Sequence, residues 1–516
     1  MLLALSTMVA PSHAANANSI TVAEVTAGGP GVNQIPYPWV NSGSISHHVM
    51  FRPLFKAQAN LTTVGPNLAS KYIVSKDGKT VKVTLKSGLK WSDGQPITTD
   101  DVVWSINTSR RVATINAIYT NAFNQIVGSE DVLATNNNSM SGITVSGNVI
   151  TFQLKVPVNT FIPVLAQFMI LPKHSLEKVD PLKIATDSYW KDPVTSGPFK
   201  VGTFSQGNFI TLVPNNYYEG TKPKITEINI IVSADLVSDA KAGKVDYFTS
   251  NDPNTIKAMK SVSTFDANVI NNMIFYRYFV FNLSDPNGLF ANVKAREALK
   301  YAVKWSSLIP AMYPTQGKMI NSGVPAGSAN HLVSIPSYKY DPAKAKALLK
   351  EANFDFSKTV RLRHYQSDAP SIAFMTAIAQ QLTSNVGMKV EMLKFQADAT
   401  TELYTNKNYD ISLKGLSAFN FGEWYGEYTN PNTFAKIIGP QPEFATLNAA
   451  LGSAMSNADT KKALTDLQVL EQQKLLKLPL FSVKQVAFVS KRISGANTFG
   501  NPLYVYDNNF ENWTVS

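Results

Sequence analysis

The chain has 516 residues, of which 44% are hydrophobic and 16% charged, with a formal net charge of +11 and no cysteine. This length exceeds what one hydrophobic core supports, so we expect two or three domains with ample core material. The lack of cysteine excludes disulfides, thiolate metal sites and a cysteine nucleophile, and no apolar run approaches the roughly 20 residues of a membrane-spanning helix.

Three interpretations compete for the positive charge: nucleic-acid binding, attraction to anionic membranes, and an acidic habitat. Nucleic-acid binding calls for clustered Lys and Arg with interleaved aromatic residues. The basic groups here, such as residues 344–350, are short and have acids among or near them. The excess arises partly from scarce carboxylates, 36 against 47 basic residues. We therefore expect a solvated basic surface and no nucleic-acid partner.

The N-terminus has the pattern of an export signal. Residues 2–10 form a short apolar segment, and a small-x-small pattern ends at Ala14. This pattern predicts a signal peptide at residues 1–14 and a periplasmic or extracellular protein. The alternative is a buried N-terminal strand. No Lys or Arg precedes the apolar run, which counts against export, and a start codon placed too late would explain this. Without cysteine, we expect no lipid-modified N-terminal cysteine.

The first half of the chain predicts mainly strands. Residues 18–24 read as a strand, and a Gly/Pro-rich stretch at 28–42 contains Tyr37. Alternating residues and turn signals predict hairpins at 72–85 and 142–154. A third strand pair is expected to flank Asn215 and Asn216.

Residues 85–105 predict a strand end, a turn and a helix start. Gly94 supplies the positive φ that an Asp-Gly turn requires. Thr98 and Asp101 have the spacing of a capping box ahead of an apolar face. The acidic pair at Asp100 and Asp101 then suits the positive end of a helix dipole rather than an acid–base site.

The second half predicts helices alternating with strands, which is α/β organisation. Ile372, Met375, Ala379 and Leu382 are expected on one buried helix face, and Leu464, Leu467 and Leu470 on another. The predicted helices are 293–302, 343–352, 370–386 and 461–475, and the predicted strands are 389–395 and 409–413.

The segment Leu85–Ser105 closely resembles a signature of the extracytoplasmic solute-binding proteins of peptide-type ABC importers. That family includes dipeptide-, oligopeptide- and nickel-binding proteins. Further segments resemble family motifs and follow in the family's order, at residues 66–69, 75–80, 171–174, 195–200, 215–220, 242–246, 281–282 with 293–302, and 340–349.

The resemblance implies a two-lobed α/β periplasmic-binding-protein clam (type II, cluster C) with an additional inserted domain. Ligand would be trapped between the lobes by hinge closure, and the protein would deliver it to a permease with its ATPase, as a monomer without catalysis or cofactor. The implied parts are one lobe at 15–50, 187–268 and 483–516, the inserted domain at 51–186, and the second lobe at 269–482.

The resemblance also implies a ligand site in the segment 409–431. In peptide-binding relatives an Asp here bonds the α-ammonium of the ligand. Carried over by position, Glu427 takes this role, and Trp424, Tyr425 and Gly426 line the pocket with Tyr37. The departure from Asp to Glu moves the carboxylate outward by one methylene, and a solvated loop acid is the alternative.

Two other candidate sites are weaker. Arg361 and Arg363 share one strand face just before the region where dipeptide binders hold the ligand's carboxylate, but residues 364–370 contain no arginine. His47 and His48 are the one histidine pair, and neighbours on a strand point to opposite faces, so no metal site is expected. No nucleophile-elbow, zinc-protease, P-loop or dinucleotide motif is found.

The ligand stays open between alternatives. A peptide is the first, and a non-peptide solute on the same fold is the second, such as an oligosaccharide, an opine or a metal chelate. A chaperone or adhesin associated with export is the third. Trp424 and Tyr425 could stack on a sugar ring as well as pack a side chain.

Overall fold

The structure is a computed structural model that describes residues 18–24, 37–40, 45–57, 64–134, 139–206, 208–270, 274–326, 328–418, 420–431, 433–496, 500–501, 505–506 and 509–516. The predicted signal peptide lies outside these ranges. Within them, no helix combines the length and the apolarity that crossing a bilayer requires.

The strands and helices follow one another along the whole described chain. The strands are β1 Ser19–Glu24, β2 Phe55–Ala57, β3 Val64–Pro66, β4 Ala69–Val74, β5 Thr80–Leu85, β6 Ile143–Ser146, β7 Val149–Gln153, β8 Phe199–Ser205, β9 Phe209–Pro214, β10 Glu227–Val232, β11 Tyr247–Ser250, β12 Phe265–Val269, β13 Ile274–Phe281, β14 Gly317–Met319, β15 Thr359–His364, β16 Lys389–Lys394, β17 Ile411–Ala418, β18 Lys477–Val483, β19 Val486–Ser490, β20 Ile493–Ser494, β21 Gly500–Asn501, β22 Val505–Tyr506 and β23 Thr514–Val515. The helices are α1 Ile45–Met50, α2 Thr99–Ser109, α3 Ala117–Phe123, α4 Asp131–Ala134, α5 Phe161–Leu165, α6 Lys173–Leu176, α7 Leu236–Lys241, α8 Pro253–Met259, α9 Val293–Ala302, α10 Trp305–Met312, α11 Pro342–Glu351, α12 Ala369–Val386, α13 Ala399–Thr401, α14 Phe421–Gly426, α15 Ala435–Ile438, α16 Pro442–Gly452 and α17 Asn457–Lys474.

Two mixed sheets form the centres of two α/β lobes. The seven-stranded sheet has the order β12-β19-β11-β1-β10-β9-β8, and the six-stranded sheet has the order β14-β18-β13-β17-β15-β16. The chain passes between them from β12 to β13 and from β18 to β19, so two neighbouring crossings join the lobes. A four-stranded sheet, β4-β5-β7-β6, forms a third layer.

The six-stranded sheet is covered on both faces because its strands are apolar on both sides. In β13, Phe279 and Phe281 face one core with α9, α10 and α12. Tyr276 and Tyr278 face a second core with α14, α16 and α17. Alternation along the strand thus assigns every second side chain to a different helical layer.

Local sequence signals predicted many elements. The strand at 18–24 and the two hairpins form as β1, β4–β5 and β6–β7. The strands on either side of Asn215 and Asn216, β9 and β10, pair with each other. A capping box between Thr98 and Asp101 begins α2, and Gly94 has a φ of 89°. Each signal lies within a few residues of the structure that it specifies.

Two local predictions were wrong, and the bounds of a third differ from the structure. Ile372 is exposed on α12, whose buried face instead carries Phe374, Met375, Ile378 and Leu382. The strand placed at 409–413 is β17 and continues to Ala418. The histidine pair lies in a short helix, α1, and not in a strand. In each case tertiary packing overrides a local pattern.

Candidate ligand-binding site

The segment 424–427 lies behind the six-stranded sheet, at the end of α14. This helix begins directly after β17 and turns its aromatic residues into the core, so Trp424 and Tyr425 are fully buried. Gly426 is only half-buried, and a Cβ built there would meet no described atom within 4 Å. The segment therefore has a packed side and an open side.

A buried carboxylate on α17 holds the packed side. Glu471 accepts hydrogen bonds from Trp424 Nε1 at 2.7 Å, Tyr428 Oη at 3.2 Å and Tyr425 Oη at 3.3 Å. Burial raises the pKa of Glu471, and its hydrogen-bond donors act in the opposite direction. These bonds fix the aromatic rings of the segment against the helix behind them.

Glu427 lies at the centre of a cluster of charges. Its Oε1 accepts a hydrogen bond from Lys414 Nζ at 2.6 Å. Its Oε2 accepts one from Tyr278 Oη at 2.6 Å and one from Lys477 Nζ at 3.0 Å. The side chain of Glu427 is 12% exposed and that of Lys414 is 15% exposed. This carboxylate is therefore a paired, nearly buried acid and not a solvated loop acid.

The two lysines decide the ionisation of Glu427. Burial alone would raise its pKa, but the charges of Lys414 and Lys477 outweigh this effect and lower the pKa to about 2. For Lys414, burial lowers the pKa, yet the charge of Glu427 dominates and the net shift is upward. Both partners are thus charged at neutral pH.

Lys477 is a fully buried lysine inside an aromatic cage. Its ammonium lies 3.7 Å from the ring centroid of Trp424 and 4.3 Å from that of Tyr428, and it donates to the Trp424 carbonyl at 2.8 Å. Burial lowers its pKa to about 8, although the charge of Glu427 opposes that shift. Cation–π contacts and the ion pair together offset the cost of burying this charge.

Tyr37 is not part of this cluster. Its ring is 3% exposed and packs edge-to-face on Trp39 and Trp190, with centroids 5.5 and 5.4 Å away. These residues belong to the core around the seven-stranded sheet and its neighbouring layer. The structure therefore brings Trp424, Tyr425, Gly426 and Glu427 together but places Tyr37 in a different core.

The two arginines of β15 have carboxylate partners within the protein. Arg361 forms a two-pronged contact with Asp410, with Nη2 2.8 Å from Oδ1 and Nε 3.1 Å from Oδ2. Arg363 pairs with Glu391 at 2.5 Å. Neither guanidinium is therefore poised for the carboxylate of a ligand.

No cluster of three or more His, Cys, Asp or Glu side chains suited to a metal ion occurs in the part of the chain that the structure describes. His47 is buried at 2% exposure. His174 Nε2 lies 2.8 Å from Asp93 Oδ2, next to the strand–turn–helix segment. This contact joins His174 to the Asp-Gly turn of that segment.

Sequence reasoning missed Tyr278, Lys414, Glu471 and Lys477. One signal was present: Lys477 stands in the apolar run 475–481, where a lysine is rarely buried without a partner. Its partner, Glu427, lies 50 residues away in sequence, so no local pattern joined them.

Comparison with known proteins supplies the family. The bacterial extracellular solute-binding proteins, family 5 (middle region), match residues 63–438, well over half of the chain. The chain belongs to this family. The match includes the strand–turn–helix signature and ends just beyond the segment 424–427, so both lie inside the shared region.

Relatives and solved structures agree with this assignment. An ABC transporter peptide-binding protein of Brucella ovis is 27% identical over 355 residues, and the match covers 66% of this chain and 62% of the relative. The dipeptide-binding protein of Escherichia coli is 25% identical over 480 residues, covering 88% of this chain and 83% of that protein. The crystal structure of NikZ from Campylobacter jejuni in complex with Ni(L-His) has a TM-score of 0.79 and 19% identity, with 97% of this chain and 100% of that chain covered. The overall fold is therefore the two-lobed solute-binding fold.

Proposed function

We propose that this protein is the substrate-binding component of an ABC importer and that its ligand is a peptide held between the two lobes. Family membership and the names of the relatives from Brucella ovis and Escherichia coli support this proposal. The role is capture and delivery to a permease and its ATPase, without a chemical step. The protein would act as a monomer in the periplasm or outside the cell.

The observation that carries the peptide proposal is the acceptor capacity of Glu427. An ionised carboxylate offers about four acceptor directions. Among the described residues, three are used, one on Oε1 and two on Oε2. The remaining acceptor direction on Oε1 suits an N–H of a ligand ammonium. With a pKa of about 2, Glu427 is ionised at neutral pH and offers this ammonium a charged acceptor.

The rest of the segment supports Glu427 in this proposal. Trp424 and Tyr425 position it from behind, since both rings are anchored to Glu471. A Cβ at Gly426 would meet no described atom within 4 Å, and a ligand would reach the carboxylate through this open space. The ring of Tyr37 is buried in the other lobe, so this residue would reach the ligand only through its hydroxyl, which has no hydrogen-bond partner among the described residues. We also propose that one lobe consists of residues 15–50, 187–268 and 483–516, the inserted domain of residues 51–186, and the second lobe of residues 269–482.

A metal chelate is the second candidate, because a structure of this fold carries Ni(L-His). Such a ligand brings its own donor atoms, so it needs no cluster of protein ligands. Mass spectrometry of small molecules released from the purified protein by denaturation separates the two candidates. A mixed set of short peptides supports the proposal, whereas a single metal chelate or sugar overturns the peptide ligand and leaves the receptor role.

Binding to Glu427 is tested with two substitutions and random tetrapeptides as the probe. Gly426→Leu fills the open space without touching the ion cluster, and Glu427→Gln removes the charge. Each should weaken peptide binding by about 30-fold or more, the equivalent of losing about 2 kcal/mol of a charged contact. Glu351→Gln, which removes a half-exposed partner of Lys294, is the matched control. Unchanged affinity in Gly426→Leu would place the ligand elsewhere.

A further inference from the structure

Arg277 lies on β13 close to the point where the chain enters the second lobe. Its neighbours across the sheet are Gly415 on β17 and Phe481 on β18. Phe275, two residues earlier, packs against the cores of both lobes. Arg277 is therefore at the boundary between the lobes, on the same sheet face as Phe275.

The guanidinium of Arg277 has no carboxylate partner. Within the described ranges it forms no hydrogen bond and no ion pair, and it lies over the ring of Phe275, whose centroid is 4.8 Å from Cζ. The side chain is half-buried. A partly desolvated guanidinium normally has an anionic or carbonyl partner, so an unpaired one needs an explanation.

Two acids that share the electrostatic surroundings of Arg277 are already used by the fold. Asp252 and Asp368, like Arg277, act electrostatically on the hydroxyl of Tyr313. Asp252 accepts from Thr255 N at 2.8 Å, and Asp368 accepts from Ser371 N at 2.9 Å. Both carboxylates are N-caps of helices, α8 and α12, and they leave the guanidinium unpaired.

Gly415 leaves the room that the guanidinium occupies. A Cβ built on Gly415 would overlap Nη1 of Arg277. A glycine in a strand interior costs stability, and a close approach of another group is a common reason for it. The glycine thus fixes Arg277 beside β17 and Phe275.

A second unpaired polar group lies at the same boundary between the lobes. Gln316 is 1% exposed, and its Nε2 donates to the carbonyl of Asn251 in the other lobe at 3.1 Å. This bond orients the amide, so the unpartnered atom is the carbonyl Oε1. The backbone carbonyl of Gln316 accepts a hydrogen bond from the backbone N–H of Lys484. Lys484 lies three residues after Phe481, the neighbour of Arg277 across the sheet, which is roughly 10 Å along an extended strand. An orphan carbonyl accepts an N–H.

We propose that Arg277 binds the carboxylate of the ligand, with Gln316 accepting an amide N–H further along the ligand. This inference rests on the peptide function proposed above and identifies the carboxyl end of the peptide as a recognised group. Arg277 and Lys414 project from opposite faces of the sheet, because Lys414 precedes Gly415, the partner of Arg277. Arg277 and Glu427 therefore address different ends of a ligand.

The test compares random tetrapeptides as free acids with the same library as C-terminal amides, using calorimetric titration and native mass spectrometry. Wild type should prefer the acids by about 10- to 100-fold, the range of a charge-assisted pair. Arg277→Gln should bind both libraries equally, and Arg277→Lys should keep part of the preference. Gly415→Ala should also lose it, since the added Cβ displaces a guanidinium that keeps its charge.

Lys304→Gln is the matched control. It removes one positive charge that lies over an aromatic ring, Tyr340, at 4.9 Å, and it should keep the full preference. An undiminished preference in Arg277→Gln, or none in wild type, overturns the role of Arg277 while peptide binding stands. If neither library binds to wild type, the peptide function fails and this inference fails with it. Thermal melts establish that each variant is folded.

Discussion

Glu427 is the acid that pairs with both Lys414 and Lys477. Its lowered pKa predicts how the stability of the protein changes with pH. The folded value of about 2 lies below the ordinary value of 4.5. A group with a depressed folded pKa stabilises the protein above its unfolded pKa, and this contribution is lost as the pH falls toward the folded value. The shift corresponds to roughly 3 kcal/mol, present above pH 4.5 and lost progressively toward pH 2.

Glu427→Gln should therefore unfold at a lower temperature than wild type at pH 7. In this variant Lys414 and Lys477 lose their counter-charge, which lowers the free energy of unfolding by about 3 kcal/mol or more for a buried pair. The gap in melting temperature should narrow as the pH falls from 4.5 toward 2, because the unfolded wild-type chain binds a proton at Glu427 that the folded protein does not bind until about pH 2. Glu351→Gln, half-exposed, should differ little from wild type throughout. A gap that does not change with pH would contradict the assigned pKa.

The same residues show what sequence could and could not predict at this scale. The resemblance located the segment 424–427, but the partners of Glu427 come from β13, β17 and β18. A lysine as buried as Lys477 is rare, so it is acceptable only because the aromatic cage and the acid assemble together. Arg361 and Arg363 were reasonable candidates from spacing alone, and only the fold gives them Asp410 and Glu391.

At the scale of elements, α16 joins the segment 424–427 to the four-stranded layer. Asn159, in the loop after β7, donates from Nδ2 to Leu451 O at 2.6 Å and from its backbone N to Gly452 O at 2.8 Å. Both carbonyls belong to the last two residues of α16. On its other side, α16 stacks Phe444 on Tyr428 at 4.0 Å and bonds Asn448 to Tyr425 O. A contact between layers thus reaches the segment that carries Glu427.

Asn159→Ala should weaken ligand binding without unfolding either layer. Loss of one hydrogen bond of about 1 kcal/mol favours separation of the layers and should lower the affinity for tetrapeptides about fivefold, mainly through faster dissociation. Asn385→Ala is the control, because Asn385 caps the end of α9 at 2.9 Å within one lobe. The control should lower the melting temperature and leave the affinity unchanged. Equal affinities in the two variants would show that the contact between Asn159 and α16 does not contribute to ligand binding.

Elements specified by local signals were predictable, and elements specified by packing were not. The hairpins and the capping box of α2 depend on residues within a few positions of one another. The face of α12 was misjudged because Phe374 and Ile378 give an apolar stripe as regular as the one through Ile372. The end of β17 was missed because Lys414 and Gly415 interrupt its apolar pattern, and both have partners in distant strands.

At the scale of the whole molecule, the cores divide between the two lobes. The cores next to the seven-stranded sheet and the four-stranded layer share no buried residue with those of the six-stranded sheet. Among the described side chains, Phe275 packs against one core of each group. Lobes with separate cores are expected to unfold as separate units unless something couples them.

Calorimetry should therefore resolve two transitions, or a calorimetric enthalpy above the van't Hoff value, when ligand is absent. A peptide that touches both lobes stabilises only the state in which they are closed together. At a concentration of 100 times Kd this stabilisation amounts to about 2.7 kcal/mol, so the transitions should merge and shift upward. Phe275→Ala should separate the ligand-free transitions further, because it removes the side chain shared by the two cores. A single two-state transition without ligand would mean that the contacts at Phe275, Gln316 and Asn159 already couple the lobes, and ligand would then act on one cooperative unit.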